Sequence, residues 1–186
     1  MTRSVYLSVT YDKTRIPPDM SKSYRETVLD VLDELGVDYK IERCPVFFGY
    51  RPEKRVPCAV FYATYPDGET FRRCIPLKLL PYKGTTTCYC SNRISFSSDT
   101  AYGCVVHTAS GSTTVIEILA RVFLRLVADV DNFYETYIEF AVEGKKAEAS
   151  YLGTRGLVVL QSHRKGWVKS VDEIDEDAFV REVLAW

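Results

Sequence analysis

Two periods of apolar and polar positions alternate along this chain, and the places where one gives way to the other predict its elements. Ser4 to Tyr11 reads as a first strand, after which Pro17 and Pro18 break the chain. A helix follows. Ser23-Tyr24-Arg25-Glu26 has the form of a capping box, Val28, Leu29, Val31, Leu32 and Leu35 give it a buried face, and Gly36-Val37 suits a Schellman stop. From Tyr39 to Phe96 the texture turns to strand, in runs Lys40 to Phe48, Cys58 to Tyr65, Thr70 to Ile75 and Thr85 to Phe96. Tyr65-Pro66-Asp67-Gly68 is a turn with its own chemistry, so the second and third runs are expected to form a hairpin.

After breaks at Pro76 to Gly84 and Ser97 to Thr100, the segment Tyr102 to Val130 predicts the heart of the fold. It reads as strand Tyr102 to Thr108, loop Ala109 to Thr114, and a helix Val115 to Val130 opened by a second capping box, Thr114-Val115-Ile116-Glu117. Only Glu117, Arg121, Arg125 and Asp129 interrupt that helix, in a stripe roughly 120° wide, so it must be covered on most sides. Phe133 to Glu143 alternates, with Tyr134, Ile138, Phe140 and Val142 on one face and Glu135, Glu139 and Glu143 on the other. Glu143-Gly144-Lys145-Lys146 then turns into strand Ala147 to Leu152, and Gly156 to Ser162 follows as another. A third capping-box match, Ser170-Val171-Asp172-Glu173, opens a last helix that docks through Ile174, Ala178, Val183 and Leu184.

The resulting order is β-α-β-β-β-β-β-α-β-β-β-α. It predicts one α+β domain over residues 1–186, with a mostly antiparallel sheet or two-layer sandwich and three helices. Runs of strands with few helices argue against a parallel doubly wound sheet.

Composition narrows the class without naming a function. A length of 186 residues buries a real core without metals or disulfides, and 46% hydrophobic residues with 13 Tyr and 9 Phe suit a sheet-rich globule. The formal net charge of -1 gives no global attraction to a polyanion or an anionic membrane surface. No export signal opens the sequence and no apolar run spans a bilayer, so the six cysteines are expected as reduced thiols in a cytosolic setting.

Three groups of residues carry candidate chemistry. The loop into the second helix brings His107, Ser110, Gly111, Ser112, Thr113 and Thr114 to the positive end of a helix dipole, where a phosphate or carboxylate binds. A tight strand-to-helix turn with a capping Thr114 accounts for the same residues and is the stronger expectation. Cys88, Cys90, Cys104 and His107 supply a tetrahedral zinc set, but structural zinc favours knuckles. In a strand Cys104 and His107 point to opposite faces, so packing is expected before metal. His163, Arg164, Lys165 and Trp167 form a basic loop with an aromatic, suited to a nucleic-acid backbone and base or to a solvated turn. No set of carboxylates or histidines has acid/base spacing, so no catalytic residue and no cofactor is assigned.

One further pattern lies in element order. A capped helix ending Val31-Leu32-Asp33-Glu34-Leu35-Gly36-Val37 leads to Gly49-Tyr50-Arg51-Pro52 and Val56-Pro57-Cys58-Ala59-Val60-Phe61-Tyr62, then to a strand, the helix from Val115 and final strands. In that order the span from Ser23 to Leu160 resembles the tail-terminator and tail-completion proteins of tailed phages. The resemblance implies a small α+β sandwich that assembles into a ring and is located in the virion; apart from it, the expectation is a cytoplasmic protein that is not secreted. The strand before Ser23 and the helix after Ser170 depart from that pattern. A non-enzymatic assembly or interaction protein, meeting a protein partner or further copies of itself, is therefore the leading expectation. An enzyme or binding domain for an anionic ligand at His107 to Thr114 comes second, and nucleic-acid binding around His163 third.

Overall fold

The computed structural model describes residues 5–10, 18–48, 51–64, 67–79, 85–88, 92–95, 103–108, 113–134, 136–142, 147–152, 155–162 and 165–185. Among them the chain is α+β. Its strands are β1 (Val5–Thr10), β2 (Tyr39–Phe48), β3 (Arg51–Thr64), β4 (Thr70–Pro76), β5 (Thr85–Cys88), β6 (Asn92–Ser95), β7 (Gly103–Thr108), β8 (Tyr137–Val142), β9 (Ala147–Leu152), β10 (Leu157–Gln161) and β11 (Gly166–Ser170). The helices are α1 (Pro18–Glu34), α2 (Thr113–Ala128), α3 (Val130–Phe133) and α4 (Glu176–Leu184), with a 3-10 turn at Val171–Glu173.

All strand pairs are antiparallel, in the order β11-β10-β9-β8-β1-β7-β6-β5-β2-β3-β4. Chain neighbours make most of these pairs, but β1 lies between β7 and β8 and closes contacts with residues a hundred positions away: Leu7 stands opposite Val106 and Phe140. The sheet also curls, bringing β4 back toward β6 and β7. One face receives the helices. Val5, Leu7 and Val9 of β1, Ile138, Phe140 and Val142 of β8, and Ala149, Tyr151, Val158 and Leu160 of β9 and β10 are all buried with α2. Ten of the sixteen residues of α2 are buried, which confirms the near-complete cover expected of so apolar a helix.

Several boundaries differ from the sequence reading, each for a physical reason. Helix α1 begins at Pro18, where a residue without an N–H belongs in a first turn, so Ser23 lies mid-helix and its hydroxyl donates to Asp129 instead of capping. Its end is as predicted: Gly36 takes φ 66 and Val37 N–H donates to Leu32 O at 3.0 Å. Helix α2 starts at Thr113, one residue before the predicted cap, and Glu117 turns to Arg121. The third capping box opens only the 3-10 turn; the N-cap of α4 is Asp175, whose side chain accepts from Ala178 N–H at 2.9 Å.

The predicted strand Thr85 to Phe96 is a hairpin, β5 and β6, and β3 begins seven residues before Cys58. Phe133 belongs to α3 and not to β8, and Tyr134 is exposed where alternation placed it inside. An eleventh strand, β11, stands where a basic loop leading to the last helix was expected. The β3–β4 hairpin forms as predicted, with Gly68 at φ 86 and Glu69 N–H donating to the Asp67 carboxylate at 3.0 Å.

Candidate functional site

The polar stripe of α2 is covered too, by charge. Arg121 reaches Glu117 at 3.2 Å, Glu176 at 3.0 Å and Asp177 at 2.8 Å, while Arg125 bridges Glu176 and Glu34. Asp129, last in the stripe, accepts from Ser23 of α1 and from Asn132. The stripe thus fastens α1 and α4 to α2. Hydrogen bonds to Glu34 and then Glu176 hold the Arg125 guanidinium well above its usual range. At Arg121 partial burial works the other way, and the carboxylates of Asp177, Glu176 and Glu117 outweigh it. In turn Arg121 lowers Asp177 and Arg125 lowers Glu34.

The outer face of β8 to β11, away from the helices, is more apolar than the acidic stripe expected there. Tyr137, Leu157 and Val168 are 39%, 38% and 60% exposed, and register sets Val159 opposite Val168 and Ser150. Glu139 shares this face, as the alternation of Phe133 to Glu143 predicted, while Glu135 and Glu143 lie outside the described residues.

A side-chain cluster absent from the sequence expectations lies on the other face. Cys44 of β2, Cys58 of β3 and Cys74 of β4 place their sulfur atoms within 4.8 Å of one another, all buried. Register explains the convergence: Cys44 is opposite Val56, two residues from Cys58, and Cys74 is opposite Val60, two residues beyond it. The three therefore form a diagonal across neighbouring strands, on the parity that faces the core. Beside them Tyr24 of α1 donates its hydroxyl to the Pro76 carbonyl at 2.6 Å, and Pro76 stands opposite Cys58. Alternation within three adjacent strand runs was the signal that could have found this cluster, because each cysteine sits at an inward position. It needed the β2–β3–β4 register to be read.

Of the predicted zinc set, Cys90 lies outside the described residues; Cys88 is in register with Val46, Cys104 with Val9 and His107 with Tyr6 and Arg93. Cys104 and His107 occupy alternate register positions in β7, as the spacing required. Of the anion loop, Ser110, Gly111 and Ser112 lie outside the described residues, whereas Thr113 and Thr114 are in the first turn of α2. Of the basic segment, His163 and Arg164 lie outside the described residues. Lys165 closes a turn with Ser162, its N–H donating to the Ser162 hydroxyl at 3.0 Å. Trp167 is engaged inside the chain: its N–H reaches the Glu182 carboxylate at 3.0 Å, Phe179 packs against it edge-on, and Lys169 lies over its ring. The indole pins β11 to α4.

No helix among the described residues is long and apolar enough to cross a membrane. No protein-family model, curated protein or solved structure matches this chain.

Proposed function

We propose that this chain is a non-enzymatic assembly protein that meets further copies of itself through the outer face of β8 to β11. The observation that carries the reading is the exposure of Tyr137, Leu157 and Val168 on one sheet face, with Val159 between them by register. An antiparallel sheet that keeps its second face in water usually alternates apolar with polar side chains. Here large apolar side chains stand on the solvent side, the mark of a contact surface. Two such faces packed back to back would bury these side chains at the roughly 10 Å spacing of stacked sheets. Such a contact is isologous and must accommodate Glu139 and, by register, Glu148 on the same face. That contact by itself closes a two-fold dimer, and the ring implied by the order of helix, hairpin and helix would need a second, heterologous contact between copies.

The test is mass in solution. Size-exclusion chromatography with light scattering is expected to show the wild-type chain above monomer mass, and V168K with L157K as a monomer of unchanged circular dichroism. A wild-type chain that stays monomeric at every concentration sinks the reading, and so does an oligomer indifferent to both substitutions.

A further inference from the structure

We propose that Cys44, Cys58 and Cys74 form a buried three-sulfur site for a soft monovalent metal ion, Cu(I). The three sulfurs lie within 4.8 Å of one another, and the residues carrying them are exposed by 2%, 0% and 0%. Among the described residues no carboxylate or imidazole joins the group, so its donor set is sulfur alone. Sulfur ligands select Cu(I), Zn(II) and iron–sulfur centres and reject the hard ions Mg(II) and Ca(II).

Geometry separates a metal from a disulfide. Diagonal positions on antiparallel strands put Cα atoms about 7–8 Å apart, beyond the roughly 4.4–6.8 Å a disulfide spans. Cys44 and Cys74 have the whole of β3 between them, so their Cα atoms are at least two strand spacings, about 9.6 Å, apart. A metal asks less of the backbone. With metal–sulfur bonds of about 2.3 Å, as for zinc, sulfurs around one ion sit roughly 3.8–4.6 Å apart, and side-chain rotation alone closes that gap.

Charge selects the ion. Three thiolates around a divalent ion leave a net negative charge in a site shut off from water, which is costly. Zinc also asks for a fourth ligand. Cu(I) is content with two or three sulfurs and is neutralised by a single thiolate, the other thiols staying protonated or nearly so. On binding, Cu(I) forms a bond to each of the three sulfurs: one S–H bond breaks to give the thiolate, its proton leaves to solvent, the other two sulfurs bind through lone pairs, and no electron is transferred. The rigid β2–β3–β4 register presets the diagonal, so folding itself assembles the donor set.

The experiment titrates the reduced full-length chain with Cu(I) under anaerobic conditions, against a chromogenic Cu(I) chelator as competitor. The expected result is one ion per chain, with ultraviolet thiolate-to-copper absorption, and a Kd weakened at least about tenfold in C44S, C58S and C74S but unchanged in C88S and C104S. Because a serine in this core could unfold the chain, a second measurement uses the wild type alone. In partial denaturant, where the core opens and the thiols react, bound Cu(I) should slow alkylation of Cys44, Cys58 and Cys74 together as read by mass spectrometry. No stoichiometric binding overturns the proposal, as does protection that falls on the other cysteines. Retention of Zn(II) in preference to Cu(I) at these same residues overturns the choice of ion.

Discussion

Phe179 is where the C-terminal helix is held, and replacing it by alanine is the sharpest test of the core. Its ring is 2% exposed and lies 6.0 Å from Phe123 of α2, 6.5 Å from Phe140 of β8 and 6.5 Å from Trp167 of β11, so one side chain joins four elements. Burying a phenyl ring contributes about 1.5–3 kcal/mol by transfer, and the cavity left behind raises the loss on truncation to roughly 3–5 kcal/mol. A nine-residue helix does not persist in water without its packed face, so α4 should detach from α2 when that face is cut away. The edge strand follows, because β11 is pinned to α4 through Trp167 and Glu182. For a chain of this size the loss corresponds to a fall in Tm of about 6–20 °C at 2–4 °C per kcal/mol. Urea unfolding gives the free energy, and hydrogen exchange should show α4 and β11 losing protection ahead of β1 and β8. An F179A protein within about 1 kcal/mol of wild type would refute the assignment of Phe179 as the hub, as would uniform loss of protection with α4 no more labile than β1.

Two further outcomes follow from the same contacts. Glu34 and Asp177 have carboxyls held below the ordinary carboxylate range by Arg125 and Arg121, so the stability they contribute is complete at neutral pH. It is lost as pH falls from the ordinary carboxylate range through the lowered folded pKa values, because protonation then costs the folded state more than the unfolded. R125M should therefore be less stable at neutral pH and show a shallower acid limb of unfolding, followed by circular dichroism, and an identical acid limb would refute the linkage. Y24F removes the hydroxyl that satisfies the buried Pro76 carbonyl, and a loss of about 1–3 kcal/mol is expected in calorimetry; no loss would mean the carbonyl has another donor.

Much of this fold is legible locally. Helix α2 follows from its apolar sequence, the stop of α1 from Gly36 at φ 66, and the β3–β4 turn from Asp67-Gly68. Capping boxes were the least dependable signal. The motifs at Ser23 and Ser170 are each a hydroxyl followed three residues later by a carboxylate, and neither hydroxyl caps a helix. At Ser23 a long-range acceptor, Asp129, took the hydroxyl; near Ser170 Asp175 supplied a better cap five residues on. The candidate site was less legible still. Among the described residues the sulfurs that meet are those of Cys44, Cys58 and Cys74, which proximity in sequence did not single out.

What the sequence determined by itself is the α+β class, the two long helices α1 and α2, and most of the antiparallel runs, because period, turn residues and apolar stretches act within a few residues of each other. Tertiary structure alone decided which strands distant in the chain became neighbours. The insertion of β1 between β7 and β8, the fastening of α4 to the α2 stripe and the meeting of Cys44, Cys58 and Cys74 all join residues far apart in the chain. Their cause is the burial of a shared face and the register it imposes, and those act through space, where no local pattern records them.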